Sequence, residues 1–153
     1  MAIVKDNLSA YLAEKQFIIR GQGVNTQLGW LPSRVVQFKL NLRYLDQQNT
    51  YGEMPEGESQ IKESGLEVNI SKNTNTQLLA SATYKNIAFE GNRSSPAGYA
   101  LLEALQPGNN WVWRTQLQQK LMQGLFLQLQ YNGRKSETSR AIHNGSMSVR
   151  ALF

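Results

Sequence analysis

The strongest constraint in this sequence is an alternation of apolar and polar residues with a period of two. From Val36 the alternate positions read Val36, Phe38, Leu40, Leu42 and Tyr44, while those between read Gln37, Lys39, Asn41 and Arg43. Successive side chains of an extended backbone point to opposite faces, so this run specifies a strand with one apolar and one polar face.

The pattern recurs as Trp111, Trp113, Thr115, Leu117 and Leu121 against Arg114, Gln116, Gln118 and Lys120. It recurs again as Leu125, Leu127, Leu129 and Tyr131 against Gln128, Gln130, Asn132 and Arg134. The chain closes on Met147, Val149, Ala151 and Phe153 against Ser146, Ser148 and Arg150. Weaker copies lie at Phe17 to Val24, at Leu66, Val68 and Ile70, and at Leu78, Ala80, Ala82 and Tyr84. In the last of these the phase slips near Lys85 so that Ile87 and Phe89 become apolar positions, the sign of a β-bulge. The strands predicted are about 11–24, 34–46, 61–71, 76–89, 109–122, 124–134 and 145–153. Residues 99–105, Tyr-Ala-Leu-Leu-Glu-Ala-Leu, read as a helical turn within a loop or as a short eighth strand.

Short and long links alternate between these segments. Met122 to Gly124 and Lys72 to Thr76 are tight, whereas Asp46 to Gln60, Glu90 to Gly108 and Lys135 to Asn144 are long and polar. Outer-membrane barrels have short periplasmic turns and long extracellular loops. With the turn at Met122 placed in the periplasm, Tyr44, Tyr84, Trp111, Trp113 and Tyr131 fall at the outward ends of their strands, and Trp30 and Phe153 at the inward ends. Aromatic residues collect at both membrane interfaces in such barrels. The expected fold is therefore all-β: an antiparallel up-and-down β-barrel, or barrel segment, of seven to eight strands, of transmembrane type. Residues 1–153 form one barrel unit. A soluble β-barrel or sandwich binding a hydrophobic ligand or protein partner is the alternative, because alternation alone does not say which face is inside.

The polar strand faces carry Arg20, Lys39, Arg43, Arg114, Lys120, Arg134 and Arg150, which under the barrel reading line a cationic lumen. The formal net charge of +5 does not point to nucleic acid, since the Trp and Tyr residues sit on the opposite, apolar face rather than interleaved with the basic ones. The absence of Cys excludes disulfides and thiol chemistry. The single histidine, His143, stands in a predicted outer loop with no second ligand or nucleophile at meaningful spacing. Gly21-Gln-Gly23 lacks the rest of a dinucleotide fingerprint. The acidic run Glu53, Glu56, Glu58 and Glu63 has the oxygen donors for Ca²⁺, but a solvated loop accounts for it. No catalytic residue, metal site or cofactor is expected, and the chain does not read as an enzyme.

The final segment, Gly145-Ser-Met-Ser-Val-Arg-Ala-Leu-Phe153, resembles the C-terminal β-signal of bacterial outer-membrane barrel proteins. The resemblance implies recognition of Met147, Val149, Ala151 and Phe153 by the barrel-assembly machinery. More loosely, the stretch from Tyr99 onward, with Gln106-Pro-Gly-Asn-Asn110 and Gly133-Arg-Lys-Ser136, looks like the C-terminal strands of large outer-membrane proteins from Bacteroidetes. These features imply the bacterial outer membrane as location and its lipid as partner, with the function of a membrane anchor or pore without catalysis. An open sheet edge in hydrocarbon leaves backbone groups unsatisfied at several kcal/mol each. Seven strands thus call for missing upstream strands or another chain to complete the barrel. The opening Met1-Ala-Ile-Val-Lys-Asp-Asn lacks the features of a signal peptide, in keeping with the C-terminal part of a longer barrel.

Overall fold

A computed structural model describes residues 17–51, 57–72 and 75–151 in full and residues 2–7 as backbone. Eight strands and one short helix follow one another: β1 (Ala2–Asn7), β2 (Phe17–Trp30), β3 (Val36–Asn49), β4 (Glu58–Lys72), β5 (Thr76–Glu90), α1 (Pro96–Leu101), β6 (Gly108–Met122), β7 (Leu125–Ser136) and β8 (Ile142–Ala151). They form one sheet in sequence order from β1 to β8, the up-and-down meander that the alternation predicted. Among the described residues β1 and β8 are its two edges.

The eighth strand is β1, which pairs antiparallel with β2 from Ala2 opposite Gln22 to Asn7 opposite Phe17. Residues 99–105, read as a helical turn or a short eighth strand, begin within α1 (Pro96–Leu101), so the helical alternative holds. Ser95 caps that helix by accepting from Gly98 N at 2.9 Å, and Pro96 occupies the first turn, where its missing N–H costs nothing. β2 runs six residues beyond the expected end at Val24. The polar triplet Asn25-Thr26-Gln27 breaks the alternation, but backbone pairing does not require it. Ser33 then shapes the link to β3 by accepting from Val35 N and Val36 N at 3.3 and 3.2 Å.

Tertiary packing divides the chain into two compact units, residues 1–26, 42–63 and 85–110, and residues 27–41, 64–84 and 111–153. The first contains a small core: Leu45, Ile61, Ile87 and Leu102 are buried together, with Phe89 and Leu105 packed against them. The segment between β5 and β6 thus folds onto one face of the strands. Its helix buries Ala97, Gly98 and Leu101, and Gln47 Nε2 and Ser59 Oγ both donate to the Leu101 carbonyl, at 3.4 and 3.2 Å. Gly98 is required by space, because a Cβ there would collide with the Asn92 carbonyl oxygen. The phase change expected at Lys85 has this packing as its cause. Ile87 and Phe89 serve the core, Lys85 shares their parity, and no slip of register is needed to bring them there.

The alternating apolar residues, by contrast, are exposed. Leu42 and Tyr44 on β3, Leu66 on β4, Leu121 on β6, Tyr131 on β7 and Met147 and Val149 on β8 all stand open, Met147 at 71% of its full accessibility. A soluble protein keeps such rows in its interior and exposes large contiguous apolar patches only at interfaces. In a transmembrane barrel they are the surface that meets lipid. The soluble alternative required the same rows to form a core, and the residues named here do not.

Candidate functional site

Two side-chain constellations stand out, one in each unit. The first is an ionic tetrad on the core-bearing face. Arg43 from β3, Glu63 from β4, Lys85 from β5 and Glu103 from the segment after α1 meet with side chains 16–27% exposed. Arg43 Nη2 lies 2.8 Å from Glu63 Oε2 and 2.8 Å from Glu103 Oε1, and Lys85 Nζ lies 3.2 Å from Glu63 Oε2 and 2.7 Å from Glu103 Oε2. Glu103 and Ala104 reach this position through left-handed backbone, φ 51° and 59°, a conformation rarely adopted by residues other than glycine. Burial alone would raise the Glu103 pKa, but hydrogen bonds and charge from Lys85 and Arg43 outweigh it and hold the carboxyl below its ordinary value. The tetrad is neutral, two cations against two anions. Beneath it, Arg43 Nε and Gln47 Oε1 are buried without a hydrogen-bond partner among the described residues.

The second constellation lies on the exposed apolar face of β6, β7 and β8. His143 is not in a loop but in β8, opposite Gly133 in the β7–β8 register, while Tyr131 stands opposite Gly145. Tyr131 Oη and His143 Nδ1 share a hydrogen bond of 2.7 Å, and the two rings stack with centroids 6.0 Å apart. The Trp113 ring approaches His143 at 5.6 Å and covers Gly133, where a Cβ would fall inside the indole. The glycine thus lets an aromatic side chain lie flat over the sheet, a known device for filling strand glycines. The phenol donates when Nδ1 is bare and accepts when Nδ1 carries the proton. With Nδ1 engaged, Nε2 is the ring nitrogen available to a ligand, and imidazole is the side chain suited to proton transfer near neutral pH.

The remaining predicted residues are dispersed. Lys39 pairs with Glu67 at 3.0 Å, and Arg114 Nε donates to Asn132 at 3.2 Å. Arg20 is exposed on the parity of Val24 while its neighbour Ile19 is fully buried. That places it on the side opposite Ile19, beside an open polar hollow with Asp46 and Glu58. Lys120 lines a small cleft with Gln118. Arg150 stands exposed beside Gln128 and Ser148, and Arg134 is exposed on β7. Arg43 enters a charged cluster, and Lys39, Arg43 and Lys85 are each matched by a carboxylate.

The aromatic set divides similarly. Trp30 stacks on Phe38 at 5.4 Å, Tyr84 meets Trp111 at 5.1 Å, and Tyr44 Oη accepts from Gln60 at 2.6 Å. Met147, Val149 and Ala151 lie opposite Leu129, Leu127 and Leu125, whereas Phe153 lies outside the described residues. Glu53 and Glu56 also lie outside them. Glu58 and Glu63, expected in a loop, belong to β4, and no group of three potential metal-binding side chains occurs among the described residues.

Glu63, Lys85 and Glu103 were missed as a group by sequence reasoning. Arg43 and Glu103 stand 60 positions apart, and the local signal was that Lys85 falls among apolar or neutral residues of β5.

No protein-family model matches the chain, and no curated protein matches it. Among solved structures it is similar to the crystal structure of the outer membrane enzyme PagL, at 10% identity and TM-score 0.37, over 99% of this chain and 97% of that one. That solved structure is an enzyme, whereas the sequence reading expected an anchor or pore without catalysis. No residue role is carried over from it.

Proposed function

We propose that the chain is a protein of the bacterial outer membrane that binds and acts on membrane lipid at the outer face of β6–β8. One observation carries this reading: a tyrosine–histidine pair hydrogen-bonded at 2.7 Å on a face otherwise given to exposed apolar side chains. An imidazole in that setting meets lipid and interfacial water together. His143 is the group suited to take a proton from a water attacking a lipid ester and to return it to the departing alcohol, leaving a free fatty acid. Tyr131 orients the ring through its hydrogen bond to Nδ1, accepting from it when Nε2 is the bare nitrogen that takes the proton.

The edges of β1 and β8 belong to the same proposal. Strands from the same polypeptide or another chain cover them, since unpaired backbone is costly in hydrocarbon. Met147, Val149, Ala151 and Phe153 serve as the assembly signal read by the barrel-assembly machinery, in a barrel akin to those of Bacteroidetes.

The test is fatty-acid release from phospholipid and lipopolysaccharide in mixed micelles with the purified protein. Replacement of a general base costs about 10²–10⁴ in rate, so His143→Gln should abolish release and Tyr131→Phe should weaken it. Absence of release by the native chain, or equal release by His143→Gln, refutes the catalytic role.

A further inference from the structure

The two glycines that face this aromatic patch are treated differently by the fold. Gly133 is roofed by Trp113, whereas a Cβ at Gly145 would meet nothing closer than the Gln130 carbonyl oxygen at 3.9 Å. Gly145 lies between His143 and Met147 on the same face of β8, and opposite Tyr131. The missing side chain therefore leaves a notch directly below the hydrogen-bonded pair. It opens into a shallow, wide-open groove of about 500 Å³ lined by Leu78, Leu117, Leu129, Tyr131 and Met147, with Thr115 beside them. That volume falls within the range of small-molecule sites, although the walls are almost wholly apolar.

We propose that this groove seats one acyl chain of a membrane lipid, with the polar end of that lipid held at Tyr131 and His143. The inference rests on the lipid-acting reading above and adds where the substrate lies. The occupant follows from continuity: the groove belongs to the same exposed row as Val149 and Leu121, which is the surface a transmembrane barrel turns to lipid. Its lining is mainly apolar, with Tyr131, the hydrogen-bond partner of His143, among the lining residues, which suits an amphiphile.

The experiment uses the whole protein with Trp30→Phe and Trp111→Phe substitutions, so that Trp113 alone reports. In detergent micelles it is titrated with a phospholipid carrying a nitroxide on its acyl chain. Seating predicts saturable quenching of Trp113 that unlabelled phospholipid reverses. Gly145→Leu, which fills the notch, should remove the saturable component, and so should Leu117→Phe, which narrows the groove from another strand without adding a second indole. Quenching that rises linearly with label mole fraction in the unfilled protein overturns the proposal without recourse to either variant. Saturable quenching that survives both substitutions overturns it equally, as does crosslinking of the groove to a protein rather than to lipid. Because no turnover is read, an inactive protein with saturable, notch-dependent quenching keeps the seat and discards only the catalytic reading.

Discussion

Replacing Glu103 by Gln tests whether the ionic tetrad fastens the segment between β5 and β6 to the sheet. The substitution keeps the volume and removes the charge. It takes away two close contacts to cations, 2.7 Å to Lys85 and 2.8 Å to Arg43, and leaves those two sharing Glu63. Removing one partner of a fully buried ion pair costs about 3–5 kcal/mol, and of an exposed pair about 0.2–1 kcal/mol. With the Glu103 side chain 18% exposed, a loss of about 2–3 kcal/mol is expected, toward the buried limit. Urea unfolding in detergent micelles, followed by tryptophan fluorescence, measures it. The double variant Glu103→Gln, Lys85→Met removes one charge of each sign and should recover part of the loss.

Acidification gives a second arm of the same test. The Glu103 carboxyl is held below its ordinary value, so its contribution is fully present above the ordinary carboxylate range and is lost as pH falls through the lowered folded value. The native chain should therefore lose stability on acidification with a steeper slope than Glu103→Gln. A Glu103→Gln protein as stable as the native chain at neutral pH, with the same acid slope, would refute the fastening role.

Other expected outcomes concern the two faces. Val149→Arg should block membrane insertion or cost about 2–4 kcal/mol if that position lies near the bilayer midplane; an arginine tolerated there would contradict the lipid-facing assignment. Gly133→Ala must displace the Trp113 ring, so the near-ultraviolet circular dichroism of the indole should change, with a stability loss of about 1–3 kcal/mol from overpacking. Gly98→Ala collides with the Asn92 carbonyl, and it should free the segment after β5 to protease cleavage while leaving the heat-modifiable gel mobility of the barrel intact.

What the sequence made legible was the part of the fold governed by a short repeat. The runs at Val36, Trp111, Leu125 and Met147 all became strands, because period two is imposed by backbone geometry and needs no distant partner. Where distant contacts decide, the reading failed in recognisable ways. Ile87 and Phe89 looked like a register slip because the core they fill is supplied by Leu45, Ile61 and Leu102 from other elements. His143 looked like a loop residue because glycine and asparagine beside it suggested a turn, yet pairing with β7 extends the strand through it. Arg43 bonds to Glu103, 60 positions away in a link whose fold onto the sheet has no periodic signature.

The tetrad also bears on how this chain can change over generations. Its four charges cancel as a set, so altering any one leaves an odd charge in a largely enclosed place. Loss of Lys85 is tolerable only where Glu63 or Glu103 is lost with it, and a homologue that neutralises Arg43 should carry a compensating neutralisation on β4 or after α1. Drift at these positions proceeds in pairs, and the history of the family should show them turning over together.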